Sequence, residues 1–454
     1  MKIIIIGAGE VGFHIASRLS AENKNVVVID KSEASLLRVS EQLDVQTVMG
    51  SGSNPEILEE AGLKNAEIVL AVTDSDETNL VACLVANLMS PSTKKLARLR
   101  EAVWDSYHEQ FHNRPPHIDS IINPEIEVVK TIERLLTVPG AVDAGEFENG
   151  GLKFAGILLA KGSRLDNVRL ENMATVLGEK PPLITAIVRN GELIIPSGRD
   201  RLLNQDLVYF ICTDAQLTNT LKMFDKDREE LRRVMIVGGG RIGYRLAQQL
   251  EKKSVHTKII ERDPKRCSLL AENLGRALVL CADGSDQDIL MAENIQDMDA
   301  VVTVTNDEET NVLVSMLSKQ KGVSKTITKI DRFSYFNLMA SIGLHRIVSP
   351  RLSAINSILQ HIRKGKVLSD ITLKGEQAEV IEAVALETSS IVGKPLRNIS
   401  FPKEALLAGI ITEEDIIIPS GDSVVHPGDR VIIFAKRQAV PKIEQFLTVK
   451  LEFF

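Results

Sequence analysis

The sequence has little of what a membrane-embedded, secreted or nucleic-acid-binding chain needs. Only four of its 454 residues are cysteine and no two stand at metal-ligand spacing, which excludes a disulfide or zinc scaffold. No apolar run is long enough to span a bilayer, and the first residues lack a signal peptide's apolar core, so we expect no direct membrane insertion. The 54 basic residues are outnumbered by 61 acidic ones, which argues against a nucleic-acid partner.

Groups that would support catalysis are also missing. None of the four tyrosines is followed four residues later by lysine, as in short-chain dehydrogenases, and no Gly-x-x-x-x-Gly-Lys-Ser/Thr phosphate loop occurs. The run HEQFH at 108–112 matches a zinc-protease pattern, but without an obvious third ligand a solvated helix face is the favoured interpretation. We expect no catalytic residue and no metal. A duplicated NAD-dependent oxidoreductase remains the alternative from the class of enzymes.

What the sequence does contain is an internal repeat. Three pairs of strings show it, in the same order along the chain: KIIIIGAGEVG at 2–12 with RVMIVGGGRIG at 233–243, TDSDETN at 73–79 with TNDEETN at 305–311, and IIPSG at 194–198 with IIPSG at 417–421. The spacing between partners changes only slowly, as small loop differences would produce. The chain is therefore predicted to be two tandem copies of one module.

Each copy divides into two parts of different texture. The first part alternates short β-like runs with helical patterns, which predicts βαβ units on a parallel sheet. The second part has alternating apolar runs punctuated by glycine, which predicts a smaller and largely β domain. We expect an α/β fold with two tandem Rossmann-type parallel-sheet domains, each followed by a small α+β companion domain. The predicted strands of the first sheet are Lys2–Ile6, Val26–Ile29, Val45–Val48, Ile68–Val72 and Lys95–Leu99.

Domain boundaries are predicted where this texture changes. The changes fall at 139–151 and near 365–377, and a polar stretch at 225–233 joins the two halves. The predicted ranges are 1–137 for the first Rossmann domain, 143–226 for its companion, 232–364 for the second Rossmann domain and 370–454 for its companion.

Each Rossmann domain carries a glycine fingerprint with an acidic partner. Gly7, Gly9 and Gly12 follow a predicted strand and open a helix, where they permit a tight turn, approach of a pyrophosphate and close helix packing. Asp30 ends the next strand, where a carboxylate can accept both ribose hydroxyls of an adenosine. Since it would repel a 2′-phosphate, NAD is favoured over NADP. The second copy keeps the same spacing with Gly238, Gly240, Gly243 and Glu261.

Polar and basic residues follow the fourth and fifth predicted strands. Thr73 and Asp74, repeated as Thr305 and Asn306, stand at the carboxyl edge where open parallel sheets bind ligands. Capping of the next helix is an alternative role that is compatible with binding. Basic residues that end the fifth strands are predicted to pair with phosphates: Arg98, Arg100 and Lys329. For Arg100 and Lys329, a surface ion pair remains an alternative.

The duplicated fingerprint, the TDxDExN string and the small domain ending in IIPSG together resemble the RCK (also KTN) module, which regulates potassium channels and transporters. The resemblance covers essentially the whole chain. It implies binding of NAD(H), competition by ATP or ADP, and a regulatory role without catalysis. It also implies a membrane-embedded potassium pore subunit as partner and self-association into a ring, expected to be a homotetramer. A soluble nucleotide sensor without a channel partner remains an alternative.

The resemblance further implies location and site residues. The protein is expected in the cytoplasm, peripheral to the inner membrane through its partner. The implied first site comprises Gly7, Ala8, Gly9, Glu10, Val11, Asp30, Thr73, Asp74 and Arg98. The implied second site comprises Gly238, Gly239, Gly240, Arg241, Ile242 and Glu261. Asn306 in place of Asp74 and Lys329 in place of Arg98 put triphosphate binding at the second site in doubt.

Overall fold

The computed structural model describes all residues except 148–150, 179–180, 227–230, 363–366, 374–377, 414 and 448–454. Parts of the predicted linker, of the second predicted texture change and of the last predicted domain lie outside the described residues. The chain forms two compact units: unit 1 is Met1–Glu127 with Pro350–Arg363, and unit 2 is Val128–Ser349 with Lys364–Phe454. Among the described helices, none is both long and apolar enough to cross a bilayer.

The first parallel sheet lies in unit 1. The helices and strands from its start to the following crossover helix are β1 (Lys2–Ile6), α1 (Glu10–Ala21), β2 (Asn25–Asp30), α2 (Glu33–Gln42), β3 (Gln46–Met49), α3 (Pro55–Glu60), β4 (Ile68–Ala71), α4 (Asp76–Met89), β5 (Lys94–Arg98), α5 (His108–Asn113), β6 (Ser120–Ile122) and α6 (Pro124–Thr137). The strand order is β3-β2-β1-β4-β5-β6. The central β1 is a run of isoleucines because helices cover both faces of a parallel sheet.

The first companion domain is built on an antiparallel sheet in unit 2. Its elements are β7 (Ala141–Glu146), β8 (Leu152–Leu158), α7 (Met173–Leu177), β9 (Leu183–Arg189), β10 (Glu192–Ile194), β11 (Leu207–Thr213) and α8 (Asp214–Met223). The strand order is β10-β9-β11-β8-β7. Helix α8 packs against β11 and β8, which gives the predicted α+β character.

The second parallel sheet, also in unit 2, repeats the first. Its elements are β12 (Arg233–Val237), α9 (Arg241–Lys252), β13 (His256–Glu261), α10 (Pro264–Asn273), β14 (Leu278–Cys281), α11 (Gln287–Ala292), β15 (Ala300–Thr303), α12 (Glu308–Gln320), β16 (Lys325–Lys329), α13 (Phe336–Ser341), β17 (Ile347–Val348) and α14 (Pro350–Ile362). The order β14-β13-β12-β15-β16-β17 is that of the first sheet. The predicted duplication is therefore present in the topology.

The second companion domain closes the chain. Its elements are β18 (Val367–Leu373), β19 (Ala378–Val384), β20 (Ala405–Ile411), β21 (Ile416–Ile417), β22 (Arg430–Lys436) and α15 (Val440–Leu447), with sheet order β18-β19-β22-β20-β21. The two companion sheets share one core in unit 2. Phe154 and Tyr209 of the first companion lie with ring centroids 6.2 and 6.3 Å from that of Phe434 in the second.

The two crossover helices are exchanged between the copies. Val128 and Ile132 of α6 belong to the core of the second parallel sheet, together with Ile236. Helix α14 belongs to unit 1, where it packs against α1 and β6. His361 of α14 lies with its Nε2 2.9 Å from the hydroxyl oxygen of Ser120 in β6. Each sheet is thus covered by a helix that the other copy supplies. The compact units therefore do not coincide with contiguous ranges of the sequence.

Candidate functional site

Two glycines shape the loop between β1 and α1. Gly7 has a φ of +112°, a conformation that side chains other than glycine rarely adopt. A Cβ on Gly12 would lie 1.8 Å from the carbonyl oxygen of Gly7, so only glycine lets α1 pack this closely on the loop. At Gly9, the N-cap of α1, an added Cβ would meet nothing within 4 Å. Open space therefore lies over a helix N-terminus, an arrangement suited to a phosphate.

The carboxylate of Asp30 braces this loop. Oδ2 accepts a hydrogen bond from the N–H of Ala8 at 2.5 Å, and Oδ1 accepts one from the N–H of Ser32 at 2.8 Å. A carboxylate has about four lone-pair sites, so capacity remains for further donors. Asp30 also lines the adjoining cavity. Asp30 therefore fixes the shape of the loop, and its remaining lone pairs are available to donors such as ribose hydroxyls.

Asn79 ties the end of β4 to the end of β5. Its side chain is fully buried, and Oδ1 accepts hydrogen bonds from the N–H of Thr73 at 3.0 Å and from the Thr73 hydroxyl at 2.7 Å. Its Nδ2 donates to the carbonyl oxygen of Arg98 at 2.8 Å. Asn311 makes the matching contacts with Thr305 in the second copy. This buried amide fixes where the residues at the carboxyl edge lie.

The capping alternative predicted that Thr73, Asp74 and their repeats cap the helices that follow β4 and β15. Other residues cap both helices. The Ser75 hydroxyl oxygen accepts the backbone N–H three residues later at 3.0 Å and caps α4. Asp307 caps α12 by accepting the N–H two residues later at 3.1 Å. The capping alternative for Thr73 and Asp74, and for their repeats, is therefore wrong, because both helices begin further along the chain.

Two arginines stand beside this edge in unit 1. The Arg98 side chain is only 14% exposed, with Asp74 Oδ1 3.6 Å from its Nη1. No described residue accepts a hydrogen bond from Arg98 Nε. Burial, and then the positive charge of Arg100, hold the pKa of Arg98 below its usual value. The guanidinium also lines the adjoining cavity, where it can bind an anionic oxygen.

These groups surround a cavity of about 630 Å³ in unit 1. Its volume is within the range of cofactor and small-molecule sites. Positive side chains slightly outnumber negative ones, which favours an anionic ligand. The charged lining residues are Lys31, Arg98, Arg100, Arg351, Glu10, Asp30 and Asp74.

Unit 2 contains a second site of the same construction. Gly238 has a φ of +110°, and a Cβ on Gly243 would lie 2.0 Å from its carbonyl oxygen. Glu261 Oε2 accepts the N–H of Gly239 at 2.8 Å, and Oε1 accepts that of Arg262 at 2.8 Å. A cavity of about 670 Å³ lies at this edge.

The second site differs from the first in charge. Lys329 Nζ lies 3.1 Å from Asp331 Oδ2 and donates to the carbonyl oxygen of Thr305 at 3.3 Å. Its side chain is not among the described groups that line the cavity. Acidic side chains dominate there, which disfavours a highly charged anion. The charged lining residues are Glu261, Asp263, Asp283, Asp307 and Arg262.

The structure brings most predicted first-site residues to one cavity: Gly7, Gly9, Glu10, Val11, Asp30, Thr73, Asp74, Arg98 and Arg100. Ala8 and Gly12 do not line the cavity: Ala8 donates its N–H to Asp30, and Gly12 lets α1 pack closely on the loop. At the second site the predicted residues that line the cavity are Gly238, Gly240, Glu261, Thr305 and Asn306. Those outside the lining are Gly239, Arg241, Ile242, Gly243 and Lys329.

Among the residues at these sites that were not predicted, three bear most on the geometry and charge of the sites. Asn79 and Asn311 end the two repeated strings TDSDETN and TNDEETN, so the repeat itself carried a signal for them. Arg351 lines the first cavity although it is distant in sequence from every other lining residue. Nothing in the first copy's sequence points to it.

The fold and the two cavities define a class: a duplicated Rossmann protein with paired sites of the dinucleotide-binding type. The family model of the TrkA-N domain matches residues 3–124 and 234–350, and that of the TrkA-C domain matches 380–448. The Trk system potassium uptake protein TrkA of Azorhizobium caulinodans is 36% identical over 100% of both chains. Homolog 2 from Methanosarcina mazei is 37% identical over 98% of this chain and 99% of its own. The chain belongs to the TrkA family of Trk system potassium uptake proteins.

Solved structures show the same fold. The GsuK RCK domain aligns with a TM-score of 0.60 at 19% identity, covering 98% of this chain and 94% of that one. The GsuK channel bound to NAD also aligns with a TM-score of 0.60, at 18% identity, covering 98% of this chain and 78% of that one. The predicted RCK architecture is thereby confirmed.

Proposed function

We propose that this chain is the nucleotide-binding regulatory subunit of a Trk-type potassium uptake system. It binds NAD(H) and adenine nucleotides at the carboxyl edges of its two parallel sheets. By changing conformation it gates a membrane-embedded potassium pore subunit, and it catalyses no reaction of its own. It works from the cytoplasmic face of the inner membrane through that partner, as a ring-forming homotetramer.

One observation carries the proposal: the glycine loop, Asp30 and Arg98 converge on one cavity of about 630 Å³. The open space at Gly9 would admit a pyrophosphate to the start of α1. Asp30 would accept hydrogen bonds from ribose hydroxyls, and the guanidinium of Arg98, which lines the cavity, would meet a phosphate oxygen. The residues present therefore fit NAD(H) or an adenine nucleotide.

The relatives support the choice of system. Full-length relatives are named Trk system potassium uptake proteins, and one solved neighbour of the same fold is a channel bound to NAD. Paired clefts in one chain suit a protein that responds to ligands, since two sites can favour two different states of an assembly.

Binding to membranes tests the partner directly. The purified chain is mixed with vesicles that contain the potassium pore subunit of the same system, or with vesicles that lack it, and sedimented. We expect co-sedimentation only with the pore subunit. Equal recovery with both kinds of vesicle would contradict a specific partner and favour the soluble sensor. Incubation with NADH and candidate carbonyl substrates should show no cofactor turnover; steady turnover would favour the oxidoreductase.

A further inference from the structure

One side chain in the first cavity comes from the second copy. Arg351 is the second residue of α14, the crossover helix that follows the second parallel sheet in the chain. Its side chain lines the unit 1 cavity together with Arg98 and Arg100. The residue before α14, Ser349, already belongs to unit 2. Arg351 is therefore only two residues along the chain from a segment of unit 2.

Among the residues that the structure describes, the ion-pair partner of Arg351 is Glu10, and the contact is long. Its Nη1 lies 3.8 Å from Glu10 Oε2, whereas Arg38 Nη1 donates to Glu10 Oε1 at 2.6 Å. The hydrogen bond from Arg38 is the main reason that the pKa of Glu10 is low, and the charge of Arg351 is a smaller one. Because Arg38 already satisfies this carboxylate and Arg351 is 36% exposed, Arg351 is able to turn to another anion.

Arg351 also adds positive charge to the wall that carries Arg98. Its charge is one of the causes that lower the pKa of Arg98, after burial and Arg100. Three guanidinium groups near one another repel; Asp74 and Asp76 offset part of this repulsion, and an anionic ligand would offset more of it. A terminal phosphate presents several oxygens and more than one negative charge, and guanidinium groups bind such a group in a forked geometry.

The described lining of the second cavity contains no residue of a crossover helix. Pro124 and Pro350 begin α6 and α14, and the next residue is Glu125 in one and Arg351 in the other. The second cavity is lined by four acidic and one basic side chain, against three and four in the first. The repeat thus supplies opposite charge at the equivalent helix position. The first site is the better one for a terminal phosphate.

We propose that Arg351 makes the first site selective for nucleoside di- and triphosphates and links their binding to α14; this rests on the proposed nucleotide binding. The terminal phosphate replaces Glu10 as the partner of Arg351 and draws the first turn of α14 onto the nucleotide. NAD(H) has no terminal phosphate and leaves Arg351 beside Glu10. Only such a difference in interaction lets two ligands favour different states.

Titration calorimetry with the full chain tests the selectivity, using ATP, ADP, AMP and NADH. Arg351→Gln should weaken ATP and ADP on the order of tenfold to a hundredfold, the loss expected for a charged hydrogen bond, and AMP and NADH less than threefold. Arg351→Lys should be intermediate because it keeps the charge without the fork. Arg114→Gln is the control: it is an exposed arginine of unit 1 that does not line the cavity. It should change no affinity more than threefold.

Hydrogen exchange on the unmodified chain tests the link to α14 without any variant. ATP should slow exchange in the first turn of α14 more than NADH does. Equal loss of all four ligands in Arg351→Gln, unchanged ATP affinity, or equal protection of α14 by ATP and NADH would each overturn the proposal. If the unmodified chain binds none of the four ligands, the proposed nucleotide binding itself is wrong, which is a separate outcome.

Discussion

The carboxylate of Asp30 accepts a hydrogen bond from the backbone N–H of Ala8 at 2.5 Å, so the acid at the end of β2 directly supports the glycine loop after β1. Glu261 and Gly239 repeat this relationship at 2.8 Å in the second copy. Both carboxylates accept the N–H of the same loop position, the residue between the first two glycines of the fingerprint. The carboxylates proposed to recognise the ligand are therefore the ones that brace the two loops.

Replacing Asp30 should affect both functions of this carboxylate. Asp30→Ala is expected to weaken NADH binding at least tenfold, since charged hydrogen bonds are worth about 1.5–3 kcal/mol each. It should also lower the free energy of unfolding by about 1 kcal/mol through loss of the loop brace. Calorimetry and urea unfolding measure the two effects. Asp44→Ala, an exposed acid before β3, is the control and should change neither quantity. Unchanged NADH affinity in Asp30→Ala would remove Asp30 from the site.

Arg98 should contribute to affinity for ATP but not to stability. Arg98→Gln is expected to weaken ATP more than NADH, by about 1.5–3 kcal/mol, because the guanidinium lines the cavity and would bind a phosphate. Since burial of this charge is costly without an anion, urea unfolding of the variant alone should show no loss of stability.

Lys329→Gln is the matched variant in the second copy. Lys329 pairs with Asp331 and lies outside the cavity lining, so the variant should leave ATP affinity within a factor of about two while lowering stability. Equal losses for ATP and NADH in Arg98→Gln, or a loss of ATP affinity in Lys329→Gln, would contradict the assignment.

The buried amide of Asn79 should be a major contributor to the stability of unit 1. Asn79→Ala removes its hydrogen bonds to Thr73 and Arg98, and should lower the free energy of unfolding by about 2–3 kcal/mol. Leu88→Ala, on the same helix at a side chain that is 73% exposed, should cost less than about 1 kcal/mol. Urea midpoints for both variants measure the difference. Similar midpoints would show that Asn79 does not hold the sheet edge together.

Glu10 gives the protein a pH-dependent contribution of known sign. Its pKa in the folded chain is lowered from 4.5, mainly by the hydrogen bond from Arg38, so the charged form stabilises the fold. The contribution is fully present above the unfolded pKa and is lost as the pH falls through the folded pKa. Glu10→Gln should therefore be less stable than the unmodified chain at pH 7, and this difference should disappear well below pH 4.5. A difference that stays constant with pH would exclude this ion pair as its source.

The sequence predicted the sheets well because their signals are local. The central strand was predicted with its observed bounds at Lys2–Ile6, and the other four predicted strands of that sheet shift by one residue at one or both ends. The glycine loop follows from the sterics of Gly7 and Gly12, which depend only on their own backbone. The second copy repeats these sequence patterns, so each prediction rests on two occurrences of its pattern.

Other features depend on tertiary contacts and have no local signal. The exchange of α6 and α14 is decided by which sheet each helix packs against, and that depends on contacts between distant parts of the chain. Lys329 turns to Asp331 because the acid stands two residues away, whereas Arg100 occupies that position in the first copy. Arg351 reaches the first cavity only because α14 does.

Potassium flux through the pore subunit tests the central claim most directly. Vesicles that contain the pore subunit are assayed with this chain added, in the presence of ATP, ADP, NAD, NADH or no nucleotide. We predict that flux depends on which nucleotide is present, and that the double variant Asp30→Ala/Glu261→Ala removes this dependence while still binding the vesicles. Flux that is the same with every nucleotide and with none would contradict the regulatory account.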